Sequence, residues 1–267
     1  MGLEGDALPT ALAAYYEALD AGRMDEAVAA FTADAVYAVP FAGSQETDAR
    51  NVVTGHEALA EYLQRRGLLP YRHEVLFCAV EGGDCLIEGV SVEASTGKAN
   101  KTFVASVQLG DAGRIYRYLA YQCEPPVSPP PAKRSEGGAG TDAPALVDRY
   151  FTALAQGRFE DAAACFSVDT LYSHPPYRHT AITDNRRIAV NGRQALLELF
   201  GRRGPTTYGY RMDVILQRGP NAIFENAVVD LPGGGEGGSM GSLTIGPDGL
   251  IRRYAAFYCE PAVPRFP

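Results

Sequence analysis

A duplicated stretch of 26 residues constrains the fold of this chain more than any other feature. The stretch Tyr15–Pro40 returns as Tyr150–Pro175, and without a gap 11 of the 26 positions are identical. The spacing of about 136 residues is far longer than the roughly 20–50 residues of solenoid repeats. In a chain of 267 residues, a repeat of this length indicates two copies of one domain of ordinary size.

The predicted boundaries follow from the copies and from the composition between them. Residues 1–124 form the first predicted domain and residues 142–267 the second. Residues 125–141, with the sequence PPVSPPPAKRSEGGAGT, form a linker that is Pro-rich and stiff at first, then Gly-rich and flexible. We expect this linker to be disordered or extended, and to carry no chemistry.

Charge and composition narrow the classes of function. A net charge of −8 disfavours nucleic acid as a partner, because phosphate binding needs clustered Lys and Arg. The acidic start MGLEGDALPT lacks the apolar run of a signal peptide, and no stretch is apolar enough to span a membrane. The five cysteines form no C-x-x-C pair, which favours reduced, buried thiols over disulfides, although a nucleophilic role stays open. We expect a cytoplasmic protein without membrane partners.

Hydrophobic periodicity and turn residues predict the same element order, α-α-β-α-β-β-β-β, in each half. In the first copy, helices are predicted at Thr10–Ala21, Asp25–Phe31 and Glu57–Arg66, with Gly22 ending the first and Thr54 capping the third. Two long hairpins follow in each copy. The predicted fold class is therefore α+β, with a curved antiparallel sheet around three helices. Each such cone has an interior that is either packed or a ligand pocket.

The residues of both halves resemble the NTF2-like superfamily, in particular its SnoaL-like and ketosteroid-isomerase-like branch. The resemblance rests on three motifs that recur in both copies: Y-x-x-A-L-x-x-G-R, F-x-x-D-x-x-Y-x-x-P and G-x-x-A-L. It implies cone-shaped domains that pack sheet to sheet as an internal pseudo-dimer. The arrangement of two fused domains is similar to that of the enzymes that open epoxides during polyether formation. The fold hosts many functions, so the resemblance specifies architecture better than activity.

The resemblance also implies where chemistry would lie. The first-helix tyrosine that forms part of the oxyanion hole in ketosteroid isomerase falls on Tyr15 and Tyr150, whereas the position of its carboxylate base holds Val39 and His174. The position of its protonated Asp falls near Ala105 and Gly241. The mechanism of that enzyme therefore does not transfer to this chain.

His174 makes the second domain the favoured active site. It shares a strand face with Tyr172 and is expected to act as a general base, with Tyr150 as the oxyanion donor and Glu225 as acid or orienting group. A histidine hydrogen-bonded in a packed interior is the competing interpretation for His174. A carboxylate paired with Arg211 on the neighbouring strand is the competing interpretation for Glu225.

The first domain is expected to be degenerate, or to use Tyr15, Glu88 and His73. His73 is alternatively a structural strand histidine, and Arg65 and Arg66 are interpreted as cations that favour the end of a helix dipole. Phenols and polar side chains at matching positions suit an oxygenated ligand. The residues predicted to contact substrate are Tyr37, Tyr118 and Gln122 in the first domain and Tyr172, Arg211, Tyr254 and Tyr258 in the second.

The sequence thus predicts a cofactor-independent SnoaL-like enzyme without a metal. It would perform acid–base chemistry on a hydrophobic, oxygenated small molecule in natural-product biosynthesis, by isomerisation, cyclisation, dehydration or epoxide opening. The alternative is a non-catalytic binding or scaffold protein whose cones hold a ligand or are filled by side chains. Cavity volume separates these possibilities.

Overall fold

The computed structural model describes residues 3–40, 50–133, 141–176 and 187–266, and the chain divides into two units. The first unit comprises Met1–Ser128 together with Val263–Pro267, and the second comprises Pro129–Ala262. Each unit has its own hydrophobic core and its own sheet. Within the described residues, every helix is too short or too polar to cross a bilayer.

The first unit contains three α-helices and seven strands among its described residues. Its first helix, α1 (Thr10–Asp20), is followed by Gly22, whose φ of 75° suits the left-handed residue that comes after many helices. Chain order is β1 (Glu4–Gly5), α1 (Thr10–Asp20), α2 (Met24–Ala29), β2 (Phe31–Pro40), β3 (Arg50–Thr54), α3 (His56–Arg66), β4 (Tyr71–Glu81), β5 (Asp84–Glu93), β6 (Ala99–Leu109) and β7 (Ile115–Cys123).

Within its described residues, 129–133, 141–176 and 187–262, the second unit repeats this order without a counterpart of β1. Its first helix has Asp142 as N-cap, and the Asp142 side chain accepts a hydrogen bond from the backbone N–H of Ala145. Chain order is α4 (Ala143–Ala155), α5 (Phe159–Ala164), β8 (Phe166–His174), β9 (Ile188–Asn191), α6 (Arg193–Arg203), β10 (Gly209–Arg218), β11 (Asn221–Val229), β12 (Gly237–Ile245) and β13 (Ile251–Cys259).

Both sheets have the same topology. The first has the strand order β1-β4-β5-β6-β7-β2-β3 and the second β10-β11-β12-β13-β8-β9. In each sheet the first long strand runs parallel to the last, β2 beside β7 and β8 beside β13, and the hairpins are antiparallel. The helices pack on one face of each sheet, so each unit is an α+β cone. The predicted fold class is confirmed.

Strand parity decides which side chains enter each cone. Successive strand residues point to opposite faces, and Cys85 and Ile87 of β5 lie in the helix-packed core of the first unit. On the neighbouring strands, Phe103 and Tyr118 lie in the same core. The aromatic residues that are identical in the two copies of the repeated stretch also lie in this core: Tyr15, Phe31 and Tyr37.

Two details of the local predictions are wrong. The short strands β3 and β9 were not expected, because four or five residues carry too little alternation to stand out beside a polar loop. The cap of α3 is Gly55, with a φ of 86°, and the Thr54 side chain makes no capping hydrogen bond. The same arrangement recurs at Gly192 before α6. A glycine at this position accepts a backbone conformation that a residue with a Cβ rarely adopts.

A buried arginine in the last strand of each unit holds an extended segment. Arg117 is fully buried and donates to the backbone carbonyls of Val263 (2.6 Å) and Pro264 (3.1 Å). Arg253 donates to the carbonyl of Pro129 at 2.6 Å. Pro129, inside the predicted linker, is therefore bound to the second unit by a specific hydrogen bond, whereas residues 125–128 belong to the first unit.

Candidate active site

The first unit contains a cavity with a volume of about 530 Å³. This lies within the range of about 300–1,000 Å³ that is typical of small-molecule sites. Its walls combine apolar side chains such as Leu19, Leu69 and Phe103 with phenols and cationic groups. Five of the residues predicted from the sequence meet here: Tyr15, Tyr37, His73, Tyr118 and Gln122.

Two tyrosine pairs cross the interior of this cone. The hydroxyls of Tyr15 and Tyr37 are 2.9 Å apart, as are those of Tyr16 and Tyr118. The rings of Tyr37 and Tyr118 stack with centroids 5.2 Å apart. Burial, followed by the proximity of other phenols, raises the pKa of Tyr15, so this group stays a hydroxyl at neutral pH. One of the two hydroxyl protons of Tyr15 and Tyr37 forms the hydrogen bond between them. The other is therefore available for a hydrogen bond to a ligand oxygen.

His73 lines the cavity and is held in place by Asp20, the last residue of α1. One carboxylate oxygen of Asp20 is 2.6 Å from Nδ1 of His73, and the other accepts from the His73 backbone N–H at 2.6 Å. The imidazole also stacks on Tyr16, with ring centroids 5.1 Å apart. Since a carboxylate accepts, Nδ1 carries the proton and Nε2 is the nitrogen that can exchange a proton with a ligand.

The cationic side chains of the cavity come from α3 and β6. Arg66 is half-buried and hydrogen-bonded to Tyr71, whereas Arg65 is exposed at the rim. Lys101 pairs with Glu124, whose carboxylate lies 2.9 Å from Nζ. Among the described residues, no carboxylate lines this cavity. Its lining is therefore electropositive.

The cavity beside His174 in the second unit is much smaller, about 50 Å³. This is room for a few water molecules and not for a metabolite. Nδ1 of His174 donates to the Pro175 carbonyl at 2.7 Å. Burial above all, together with the charges of Arg187 and Arg203, lowers the pKa of His174 to about 3, although the Pro175 bond opposes this. The structure does not support His174 as general base, because so weakly basic a group is a poor proton acceptor.

At two core positions the second cone carries larger side chains than the first. Phe200 of α6 stands at the position of Leu63 in α3, and Phe224 of β11 at that of Ile87 in β5. Tyr172 stacks between His174 and Tyr254, with centroid distances of 5.9 and 5.1 Å. Tyr150, the expected oxyanion donor, packs edge-on against Phe166. Of the predicted residues, only His174 and Tyr258 line the small cavity.

The structure corrects the role expected for the two buried glutamates. Glu88 and Glu225 are only 1% and 3% exposed. Their neighbours Ile87 and Phe224 point into the helix-packed cores, so both carboxylates point to the opposite sheet face. Neither lines the cavity of its unit. Glu225 therefore cannot act as a partner of His174 in a shared pocket.

Arg211 is a surface residue and not a substrate contact. Its side chain is 53% exposed, and its guanidinium makes two hydrogen bonds to the carboxylate of Glu236, at 2.7 and 2.9 Å. The bonds to Glu236 and Asp213 raise the pKa of Arg211. Tyr258, another predicted substrate contact, donates its hydroxyl proton in a hydrogen bond to the carboxylate of Glu260 at 2.5 Å.

Sequence reasoning missed Asp20, and it placed Arg66 correctly at the end of α3 without showing that Arg66 lines the cavity. Asp20 corresponds to Ala155 in the other copy, and His73 corresponds to Tyr210. Both members of the dyad are thus absent from the second copy together. This joint difference between the copies was the available signal. The position of Arg66 inside the cavity depends on how α3 packs, which the sequence pattern does not show.

Other chemistry has less support in the described residues. No group of three His, Cys, Asp or Glu side chains is placed there to hold a metal ion. All five cysteines are buried thiols. The hydrogen bond with Cys78, followed by burial, raises the pKa of Cys85 far above its ordinary value. A thiol in this state is a poor nucleophile.

The fold and the cavity define a cone-shaped α+β domain with an internal small-molecule site. The family model of the SnoaL-like domain matches residues 12–118, which lie within the first unit. This confirms the resemblance found in the sequence. A search of curated proteins finds no match.

Three solved structures that are similar to this chain each cover less than half of it. An NTF2-like protein of unknown function from Burkholderia xenovorans is 16% identical, with a TM-score of 0.36, over 46% of this chain and 86% of its own. A candidate ketosteroid isomerase from Kribbella flavida has 24% identity, a TM-score of 0.35 and coverages of 46% and 82%. A candidate polyketide cyclase from Sinorhizobium meliloti is 23% identical, with a TM-score of 0.32, over 42% of this chain and 94% of its own.

Proposed function

We propose that this protein is a cofactor-independent acid–base enzyme whose active site is the cavity of the first unit. The observation that carries the proposal is the Asp20–His73 pair at the wall of a cavity large enough for a metabolite. The substrate would be a hydrophobic, oxygenated small molecule of natural-product type. A cytoplasmic location belongs to the same proposal, since five buried thiols suit a reducing compartment.

In this proposal each group has a separate role. Nε2 of His73 takes a proton from a carbon next to a carbonyl, or from a hydroxyl or water that then attacks. Asp20 holds the tautomer that makes this possible and stabilises the imidazolium that forms. The second hydroxyl proton of the Tyr15–Tyr37 pair forms a hydrogen bond to the oxygen on which negative charge develops. Isomerisation, cyclisation, dehydration and epoxide opening all use these steps.

Proton exchange with solvent tests the proposal without knowledge of the substrate. The full chain is incubated in D₂O with a panel of polycyclic ketones and β-keto acids, and deuterium uptake is followed by mass spectrometry. For a compound that the wild type deuterates, His73→Gln should slow uptake at least about 10²-fold, because general bases contribute roughly that much. His174→Val, which copies the residue at position 39, should leave uptake within about twofold of the wild type.

The opposite pattern would overturn the assignment. If His73→Gln retains wild-type uptake while His174→Val abolishes it, the chemistry belongs to the second unit. The panel must also include an epoxide and a secondary alcohol, with opening and dehydration followed by mass, because these reactions give no carbon-bound deuterium.

A non-catalytic ligand carrier is the second candidate. It is favoured by the absence, among the described residues, of a carboxylate at the cavity wall, and by Val39 at the position of the family base. A carrier would bind compounds of the panel and leave all of them unchanged. Binding without turnover or exchange across the panel therefore decides for the carrier.

A further inference from the structure

Among the residues that the structure describes, no carboxylate of the cavity wall balances the charge of Arg66. The side chain is half-buried at the wall of the first-unit cavity, where it contacts the hydroxyl of Tyr71. Among the described residues it has no carboxylate within ion-pair distance. A guanidinium is charged at every physiological pH, and a charge removed from water costs free energy unless an opposite charge accompanies it.

We infer that the cavity binds its ligand through a carboxylate placed against Arg66, so that the substrate is an aromatic or polycyclic carboxylic acid. The inference rests on the proposed function only for the location of the site. The planar guanidinium presents paired N–H donors that match the two oxygens of a carboxylate. The aromatic and aliphatic walls provided by Leu19, Leu69, Phe103 and the tyrosines suit the remainder of such a molecule.

The other cations indicate a single negative charge on the ligand. Lys101 is already neutralised by Glu124 at 2.9 Å. Arg65 is exposed at the rim, where water and salt screen its charge. One half-buried cation therefore remains to be balanced inside, which fits a monoanionic carboxylate better than a phosphate with nearly two charges.

The second unit provides a matched comparison. Arg203 occupies the position of Arg66 at the end of the equivalent helix. It is 3% exposed, and its guanidinium lies 5.6 Å from the centroid of the Phe200 ring. In the second cone an aromatic face covers the arginine, whereas in the first cone the arginine lines an open cavity.

Two fluorescent probes with one skeleton test the inference in the full chain. 1-Anilinonaphthalene-8-sulfonate carries one negative charge, and N-phenyl-1-naphthylamine lacks it. We expect the charged probe to bind the wild type at least about tenfold more tightly than the neutral probe. Arg66→Gln should weaken only the charged probe, by about tenfold, and Arg203→Gln should change neither. Displacement of the charged probe by 2-naphthoate and not by 2-naphthamide extends the result to carboxylates.

Several outcomes would overturn it. Equal affinity of the wild type for both probes, or an equal loss of both in Arg66→Gln, would show that the sulfonate is not recognised. The naphthoate and naphthamide comparison uses the wild type alone, so it decides even if Arg66→Gln does not fold. Loss of charge selectivity with deuterium uptake retained would refute this inference and leave the proposed function standing. Charge selectivity without any turnover would support this inference and refute the proposed function.

Discussion

Asp20 and His73 show what pattern reading can and cannot find at the scale of single residues. Strand parity and the resemblance placed Tyr15, Tyr37 and Tyr118 around one interior, and the structure agrees. The hydrogen bonds between Asp20 and His73 join residues 53 positions apart. They form only because α1 crosses the start of β4. No spacing rule links the two, so in the sequence Asp20 is marked by the joint difference between the copies, where Ala155 and Tyr210 replace Asp20 and His73.

Replacement of Asp20 tests whether it positions His73. In Asp20→Asn the amide can present its N–H to Nδ1, which favours the opposite tautomer and blocks Nε2 as a base. We expect deuterium uptake to fall about 10²-fold. Long-range ¹⁵N–¹H spectra of the imidazole should show the proton on Nδ1 in the wild type and on Nε2 in the variant. Glu17→Gln, an exposed change on the same helix, should alter neither quantity.

His174 should make the stability of the second unit depend on pH. Its pKa in the folded state is about 3, below the ordinary 6.5, so the unfolded chain binds a proton there that the folded chain does not. The contribution to stability is full above pH 6.5 and is lost as pH falls toward 3. By linkage this loss is about 2 kcal/mol at pH 5.

His174→Val should remove that dependence. Urea unfolding of the wild type and the variant at pH 7, 6 and 5 measures it. The difference in unfolding free energy between the two proteins should shift by about 2 kcal/mol in favour of the variant between pH 7 and pH 5. A constant difference across this range would mean that folding does not lower the pKa of His174.

At the scale of elements, the long helices and hairpins could be predicted because each has a clear period and a turn at its end. The packing of one element against another could not. In the second sheet, Phe224 of β11 lies across Gly241 of β12, and a Cβ built on Gly241 would be 2.1 Å from the Phe224 ring. In the first sheet the equivalent pair is Ile87 and Ala105. The second copy thus has a larger residue on β11 and a smaller one on the neighbouring β12 than the equivalent strands of the first copy.

Gly241→Ala should therefore destabilise the second unit by about 1–3 kcal/mol through overpacking. Phe224→Ile in the same chain recreates the pair of the first unit and should recover part of the loss. Thermal unfolding of the two single variants and the double variant measures the coupling. Strictly additive effects would indicate that the ring and the added methyl do not meet.

At the scale of the whole molecule, the duplication and the fold class could be predicted, but the choice between an open and a filled cone could not. That choice depends on the summed volume of residues such as Leu63 and Ile87 against Phe200 and Phe224, which lie far apart in the sequence. In the sequence, His174 favoured the second unit as the active site, since Tyr15 and Tyr150 are the same in both copies. Among the described residues, the cavity of the first unit is about 530 Å³ and the one beside His174 is about 50 Å³.

The path of the chain gives a last prediction. Residues 263–267 belong to the first unit, where Arg117 donates to two of their carbonyls and Gln108 exchanges two hydrogen bonds with Phe266. Ending the chain at Ala262 leaves the buried Arg117 without these acceptors. Because hydrogen bonds to charged groups contribute roughly 1.5–3 kcal/mol each, we expect the first unit to lose about 3 kcal/mol.

Hydrogen exchange followed by mass spectrometry can assign that loss to one unit. Peptides of β6 and β7 should exchange faster in the truncated chain. Peptides of β12 and β13 should exchange as before, because the truncation leaves the hydrogen bond from Arg253 to the Pro129 carbonyl in place. Arg117→Met in the truncated chain should restore part of the protection, since it removes a buried charge that has lost its partners. Equal loss of protection in both units, or no rescue by Arg117→Met, would show that the tail stabilises the first unit by some other contact.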